Sequence, residues 1–152
     1  MPCDDRGVSA NAIRTAITDD EILACHPVMS QLRPHVSSAD FVARVRRQQH
    51  QGYHLVALHA ADRERVVAVA GYRFGESLSS GRYLYVDDLV TDADLRSAGH
   101  GGQLFTWLLA EARTAGCDTF LLDSGVQRYG AHRFYLGKRM EIRAHHFVLA
   151  LR

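Results

Sequence analysis

The stretch Arg96-Ser97-Ala98-Gly99-His100-Gly101-Gly102 constrains this chain more than any other. It stands between a strand-like run at 83–91 (YLYVDDLVT) and the strongest helical pattern in the sequence, at 101–115. There Leu104, Phe105, Leu108, Leu109 and Ala112 recur at i, i+1, i+4, i+5 and i+8. Glycines let a backbone turn successive N–H groups inward, and the helix that follows adds free N–H donors and a positive dipole end. Such a junction suits a pyrophosphate, although a glycine-rich turn also serves simply to join a strand to a helix.

Spacing narrows the choice. A P-loop ends in Gly-Lys-Ser/Thr, and this loop ends in Gly102-Gln103-Leu104. A dinucleotide fingerprint starting at Gly99 needs glycine or alanine where Leu104 sits. What remains is R-x-x-G-x-G behind a strand ending in Asp-Asp-Leu-Val-Thr.

The rest of the chain supplies the frame. Residues 11–18 read as a first strand and residues 19–32 as one helix that opens on an acidic turn and stops before Pro34. Ser37 and Ser38 open a second helix that Gly52 ends. Residues 53–60 and 65–74 form an antiparallel hairpin about the charged turn 61–64, and 83–91 adds a third strand. Gly116 stops the strong helix, residues 119–123 make a short buried strand, about 129–136 a short helix, and 142–151 a last strand. Strand, helix, strand in the last third implies a parallel crossover, so the expected fold is α+β, a mixed sheet with about four helices.

At 152 residues, 47% of them hydrophobic and 23% charged, the chain suits a single globular domain over 1–152. With 18 basic against 17 acidic side chains it exerts no long-range pull on nucleic acid or anionic lipid, and neither is expected as a partner. Cys3, Cys25 and Cys117 are scattered, which suggests neither a disulfide framework nor a zinc site. No metal is expected. Residues 1–20 lack the apolar core of a signal peptide and no run of 18 apolar residues exists, so a cytoplasmic protein is the expectation.

With R-x-x-G-x-G behind that strand, and Ala131-His132-Arg133-Phe134-Tyr135-Leu136 matching an A-x-x-F-Y segment on the last helix, the sequence resembles the GCN5-related N-acetyltransferase (GNAT) family. The resemblance implies a GNAT-like sheet and an acetyl-CoA-dependent N-acetyltransferase. The main chain at Leu89, Val90 and Thr91 would pair with the pantetheine arm, and one N–H there would polarise the thioester carbonyl. Arg96, Ser97, Ala98, Gly99, His100, Gly101 and Gly102 would hold the pyrophosphate, with His132 approaching the cofactor. Ser97-Ala98 and His100 depart from the family's usual loop and remove a positive charge common there.

Acyl transfer to an amine needs a base for the ammonium and an acid for the departing thiolate. The resemblance assigns the acid to Tyr135. For the base, Asp88 is the choice, with Asp87 beside it; strand alternation turns only one of them to the substrate. His145 and His146 of the last strand are alternatives, one on each face. The implied acceptor is the primary amine of a small molecule, attacking directly in a ternary complex. Competing readings are acetylation of a protein N-terminus or lysine, and a non-catalytic acyl-CoA-binding module. The final strand leaves an edge through which a homodimer could form.

Overall fold

The computed structural model describes residues 10–61 and 65–152, so Cys3 and most of the turn expected at 61–64 lie outside the described residues. The chain divides between Leu121 and Leu122 into two compact units.

The first unit opens with β1 (Ala12–Thr15) and then two helices, α1 (Asp19–Ala24) and α2 (His26–Leu32), where sequence pattern predicts one. Pro27 explains the break: it has no N–H to give to the carbonyl four residues back, so the helix restarts at Cys25 with proline in its first turn. A capping box starts α1. The Glu21 N–H donates to Thr18 Oγ1 at 3.2 Å, and Glu21 Oε2 accepts from the N–H of Thr18 at 2.9 Å and of Ile17 at 2.8 Å. Those backbone donors hold the Glu21 carboxyl below its usual range. α3 (Ser38–Gln49) is capped by Ser37, as expected, and buries Phe41 and Val45.

β2 (Tyr53–His59), β3 (Val66–Ser77), β4 (Gly81–Thr91) and β5 (Thr119–Leu122) complete a sheet in the order β1-β2-β3-β4-β5. The first four strands pair antiparallel. At the start of β5 the Asp118 N–H donates to the Arg82 carbonyl at 2.7 Å and Thr119 Oγ1 to the Ser80 carbonyl at 2.9 Å, which sets start beside start. The fifth strand therefore runs parallel to β4, and the sheet is mixed as expected.

β2 and β3 are covered on both faces. Leu55, Ala57, Val69 and Val90 pack with Ile22, Cys25, Val28, Met29, Phe41 and Val45 of α1 to α3. On the other face Tyr72 meets Trp107 of α4 (His100–Thr114), ring centroids 6.1 Å apart. Leu104, Phe105 and Leu108 of that helix are at most 1% exposed, each contributing about 1.5–3 kcal/mol of burial. Gly116, at φ +69°, ends α4 where the pattern placed its stop.

One irregularity matters for function. Gly71 faces Asp88 across β3 and β4 while Tyr72 faces Val86, so Asp87 is an extra residue in a β-bulge.

The second unit holds α5 (Tyr129–Gly137) and the stretch after it. The strand expected at 142–151 is not formed; Phe147, Leu149 and Leu151 are 92%, 83% and 89% exposed. Alternating apolar residues make a strand only when a neighbouring edge takes up their backbone donors and acceptors, and these residues have no ladder. The opposite-face placement of His145 and His146 lapses with that strand, and so does the edge invoked for a homodimer.

Candidate active site

β4 leads directly into the glycine-rich loop. Its last residues are bound on one side to β3, with Leu89 opposite Ala70, Val90 opposite Val69 and Thr91 opposite Ala68. On the other side β4, with 11 residues, outruns β5, with 4, so the edge at 89–91 extends beyond the reach of β5. Asp92 then fixes the exit. Its carboxylate accepts from the Asp94 N–H at 3.1 Å and from Arg65 Nη2 at 3.2 Å, while Gln31 of α2 accepts the Ala93 N–H at 2.8 Å.

In the loop the backbone φ is −63° at Arg96, +68° at Ser97 and +84° at Gly99. Arg96 itself is extended, with ψ at 153°, so the chain turns at Ser97 and again at Gly99 before entering the helix. Gly99 is the N-cap of α4 and no side chain caps that helix, which leaves its first N–H groups, including those of Gly101 and Gly102, to a ligand. His100 is the first residue of the helix, one position earlier than the pattern predicts, with Nδ1 3.5 Å from Asn11 Nδ2. A Cβ on Gly101 would stand 3.2 Å from Thr91 Oγ1, so glycine lets the helix start close against the end of β4. Exposed Arg96 and Ser97 and the uncapped donors fit an anionic diphosphate.

Asp87 and Asp88 do not alternate, contrary to expectation. Tyr53 and Arg73 are cross-strand partners on one face. The Tyr53 hydroxyl donates to Asp88 Oδ2 at 2.8 Å, and Arg73 Nε donates to Asp87 Oδ2 at 2.8 Å, so the bulge turns both carboxylates to that face. From α2, Arg33 Nε donates to Asp88 Oδ1 at 2.9 Å and its Nη2 to the Asp87 carbonyl at 3.0 Å. Burial, reinforced by the charge of Asp88 and by the hydrogen bond to it, pushes the Tyr53 phenol well above its usual range. Arg33, Tyr53, Arg73 and Gly71 escape sequence reasoning. Only Gly71, a glycine amid β-branched strand residues, carries a local signal.

Tyr135, His132 and His146 lie in the second unit. Tyr135 is half-buried on α5, edge-on to Phe134 at 5.5 Å, and burial raises its phenol, with Arg128 opposing. It therefore keeps its proton at neutral pH. His132 Nε2 donates to the Gly125 carbonyl at 2.8 Å, tying α5 to the loop before it. His146 Nδ1 is 3.2 Å from Asp123 Oδ2 in an exposed pair.

A mixed sheet whose fourth strand feeds an uncapped helix N-terminus offers backbone donors to an anionic ligand at the end of that strand. The acetyltransferase (GNAT) family model matches residues 17–139, and the chain belongs to that family. It is 35% identical over 120 residues to the uncharacterized N-acetyltransferase YhdJ of Bacillus subtilis, covering 78% of this chain and 83% of that protein. A shorter match, 39% over 51 residues and about a third of each chain (34% and 33%), is to the aminoalkylphosphonate N-acetyltransferase of Salmonella typhimurium. Among solved structures, the aminoglycoside N-acetyltransferase AAC(6')-Iy in complex with CoA superposes with a TM-score of 0.81 at 14% identity, over 95% of this chain and 96% of that one. The chain is thus an acetyltransferase with acetyl-CoA as donor. Among the described residues no helix is long and apolar enough to cross a membrane, and no group of three or more His, Cys, Asp or Glu stands together to hold a metal.

Proposed function

We propose that residues 1–152 act as one cytoplasmic domain that moves the acetyl group of acetyl-CoA to the primary amine of a small molecule, by direct attack in a ternary complex. The observation that carries this reading is the pair of carboxylates turned to one sheet face by the bulge, immediately before the strand edge and loop suited to the donor. Each carboxylate is already paired with a guanidinium, Asp88 with Arg33 and Asp87 with Arg73, and the lone pairs that remain are those offered to an ammonium. The short similarity to an aminoalkylphosphonate enzyme and the fold shared with an aminoglycoside enzyme support a small acceptor.

Each residue then has a task. Arg96 and the N–H groups of Ser97 to Gly102 hold the pyrophosphate. The main chain of Leu89, Val90 and Thr91 pairs with the pantetheine arm, and one N–H there polarises the thioester carbonyl, the term that usually weighs most in acyl transfer. Asp88 takes the proton of the acceptor ammonium, directly or through water, and Tyr135 gives one to the departing thiolate. His146, held beside Asp123, is the second candidate for the base. His132, as the resemblance implies, approaches the donor.

The test is release of free thiol from acetyl-CoA against polyamines, aminoglycosides, amino acids, aminophosphonates and peptides. Turnover with at least one small amine supports the proposal. Turnover with peptides alone moves the function to protein N-termini or lysines, and acetyl-CoA binding without any turnover makes the chain a binding module. Sedimentation of the same preparation decides whether two copies pair.

A further inference from the structure

We propose that Gly71, Tyr53 and Arg33 are positioning residues that set the Asp88 carboxylate for proton transfer; this rests on the reading of Asp88 as the base. The three come from three different elements and converge on one side chain. Tyr53 belongs to β2, and its neighbour on β3 is Arg73, not the residue facing Asp88. To reach β4 its ring must cross the central strand, and it crosses at Gly71. A Cβ built there would overlap the Tyr53 hydroxyl and ring edge. Gly71 is itself the cross-strand partner of Asp88. The gap left by its missing side chain is therefore the passage by which the hydroxyl arrives at 2.8 Å from Asp88 Oδ2.

Glycine inside a strand costs about 0.5–1 kcal/mol relative to alanine, so β3 gives up stability at its most buried stretch to leave this passage open. Arg33 bonds the other oxygen of the carboxylate. It follows the last turn of α2, and its guanidinium spans the bulge, gripping Asp88 Oδ1 and the Asp87 carbonyl together. Each oxygen of Asp88 accepts one fixed donor and keeps a lone pair for the substrate. The Asp88 side chain is 13% exposed, enough to be reached and too little to rotate freely between its partners. Asp87 has a guanidinium of its own, Arg73, whose Cζ lies 5.6 Å from the centre of the Tyr53 ring. The second carboxylate therefore does not compete for Arg33 Nε.

Ordinary sheet stabilisation would produce the same hydrogen bonds, and it is separable from positioning. Y53F, G71A and R33Q are made in the wild-type chain and again in D88N, with kcat, the KM for acetyl-CoA and the melting temperature measured for each. Positioning predicts that every single variant lowers kcat about tenfold or more, since small misplacements of a reacting group are costly. The KM for acetyl-CoA stays unchanged, and in D88N none of the three lowers kcat further. R33K, which cannot span the bulge with two donors, recovers only part of the loss. Should G71A fail to fold, Y53F removes a single oxygen and carries the comparison. Folded single variants with wild-type kcat, or losses of the same factor with and without D88N, overturn the proposal and leave Asp88 as the base. Wild-type kcat in D88N overturns both.

Discussion

The two units of the chain hold their functional groups by different means. In the first, Leu55 to Leu58 and Val67 to Ala70 are each at most 2% exposed, and the helices on either side bury further apolar side chains against them. In the second, α5 buries no residue completely and residues 141–152 are exposed throughout. The carboxylates and the glycine loop are thus carried on a framework in which packing fixes the backbone. Tyr135, His132 and His146 depend on local bonds such as His132 to Gly125 and His146 to Asp123. Core substitutions should cost stability in the first unit, and substitutions in the second should cost chemistry with little stability.

The largest expected effect is on stability. Leu108→Ala empties a fully buried position on α4 and should destabilise the protein by about 2–5 kcal/mol, read from the denaturant midpoint. A smaller loss would mean that the core collapses around the gap. Next comes Tyr135→Phe, which keeps the ring and removes the acid. It should lower kcat by about 10², equivalent to about 2.7 kcal/mol, with acetyl-CoA affinity unchanged. An unaltered kcat, where thiolate departure limits the rate, would give the proton to water or to another residue.

Gly101→Asp tests the corresponding position in the first unit. A side chain there meets Thr91 and places a negative charge where phosphates are to bind, so the acetyl-CoA Kd should rise about tenfold or more in calorimetry. Unchanged affinity in a folded variant would remove the loop from the donor site. The smallest effect should be that of Phe147→Ser, within about 0.5 kcal/mol, because the ring is 92% exposed. A larger loss breaks the contrast, for it would show that this stretch is covered in solution.

Much of the first unit was legible because its signals are local. The Ser37 cap, the period of Leu104, Phe105, Leu108 and Ala112, and the glycines at 99 and 116 each act within a turn or two of chain, and the structure keeps all of them. The misses arise where a distant partner decides. The bulge at Asp87 is a slip in pairing between two strands, invisible to alternation along one of them. Arg33 reaches Asp88 across 55 positions of sequence, and no pattern near either residue announces the contact. Residues 142–151 show the converse: apolar alternation promised a strand, but a strand exists only with a neighbour. The break at Cys25, like Gly71, has a local sign, since Pro27 stands inside the helical pattern.

Cys25 has a further use. It is fully buried at the junction of α1 and α2, its Sγ donates to the Glu21 carbonyl at 3.4 Å, and burial pushes its thiol up to about 12. A disulfide reagent reacts with thiolates, so this sulfur stays silent while the helices lie on the sheet. The same reagent counts each coenzyme A released by turnover. One cuvette therefore carries two clocks. With Cys3 and Cys117 replaced by serine, since Cys117 is only partly buried, the fast one reports catalysis, and the slow labelling of Cys25 after substrate is exhausted reports how often the face bearing Tyr53 opens to solvent.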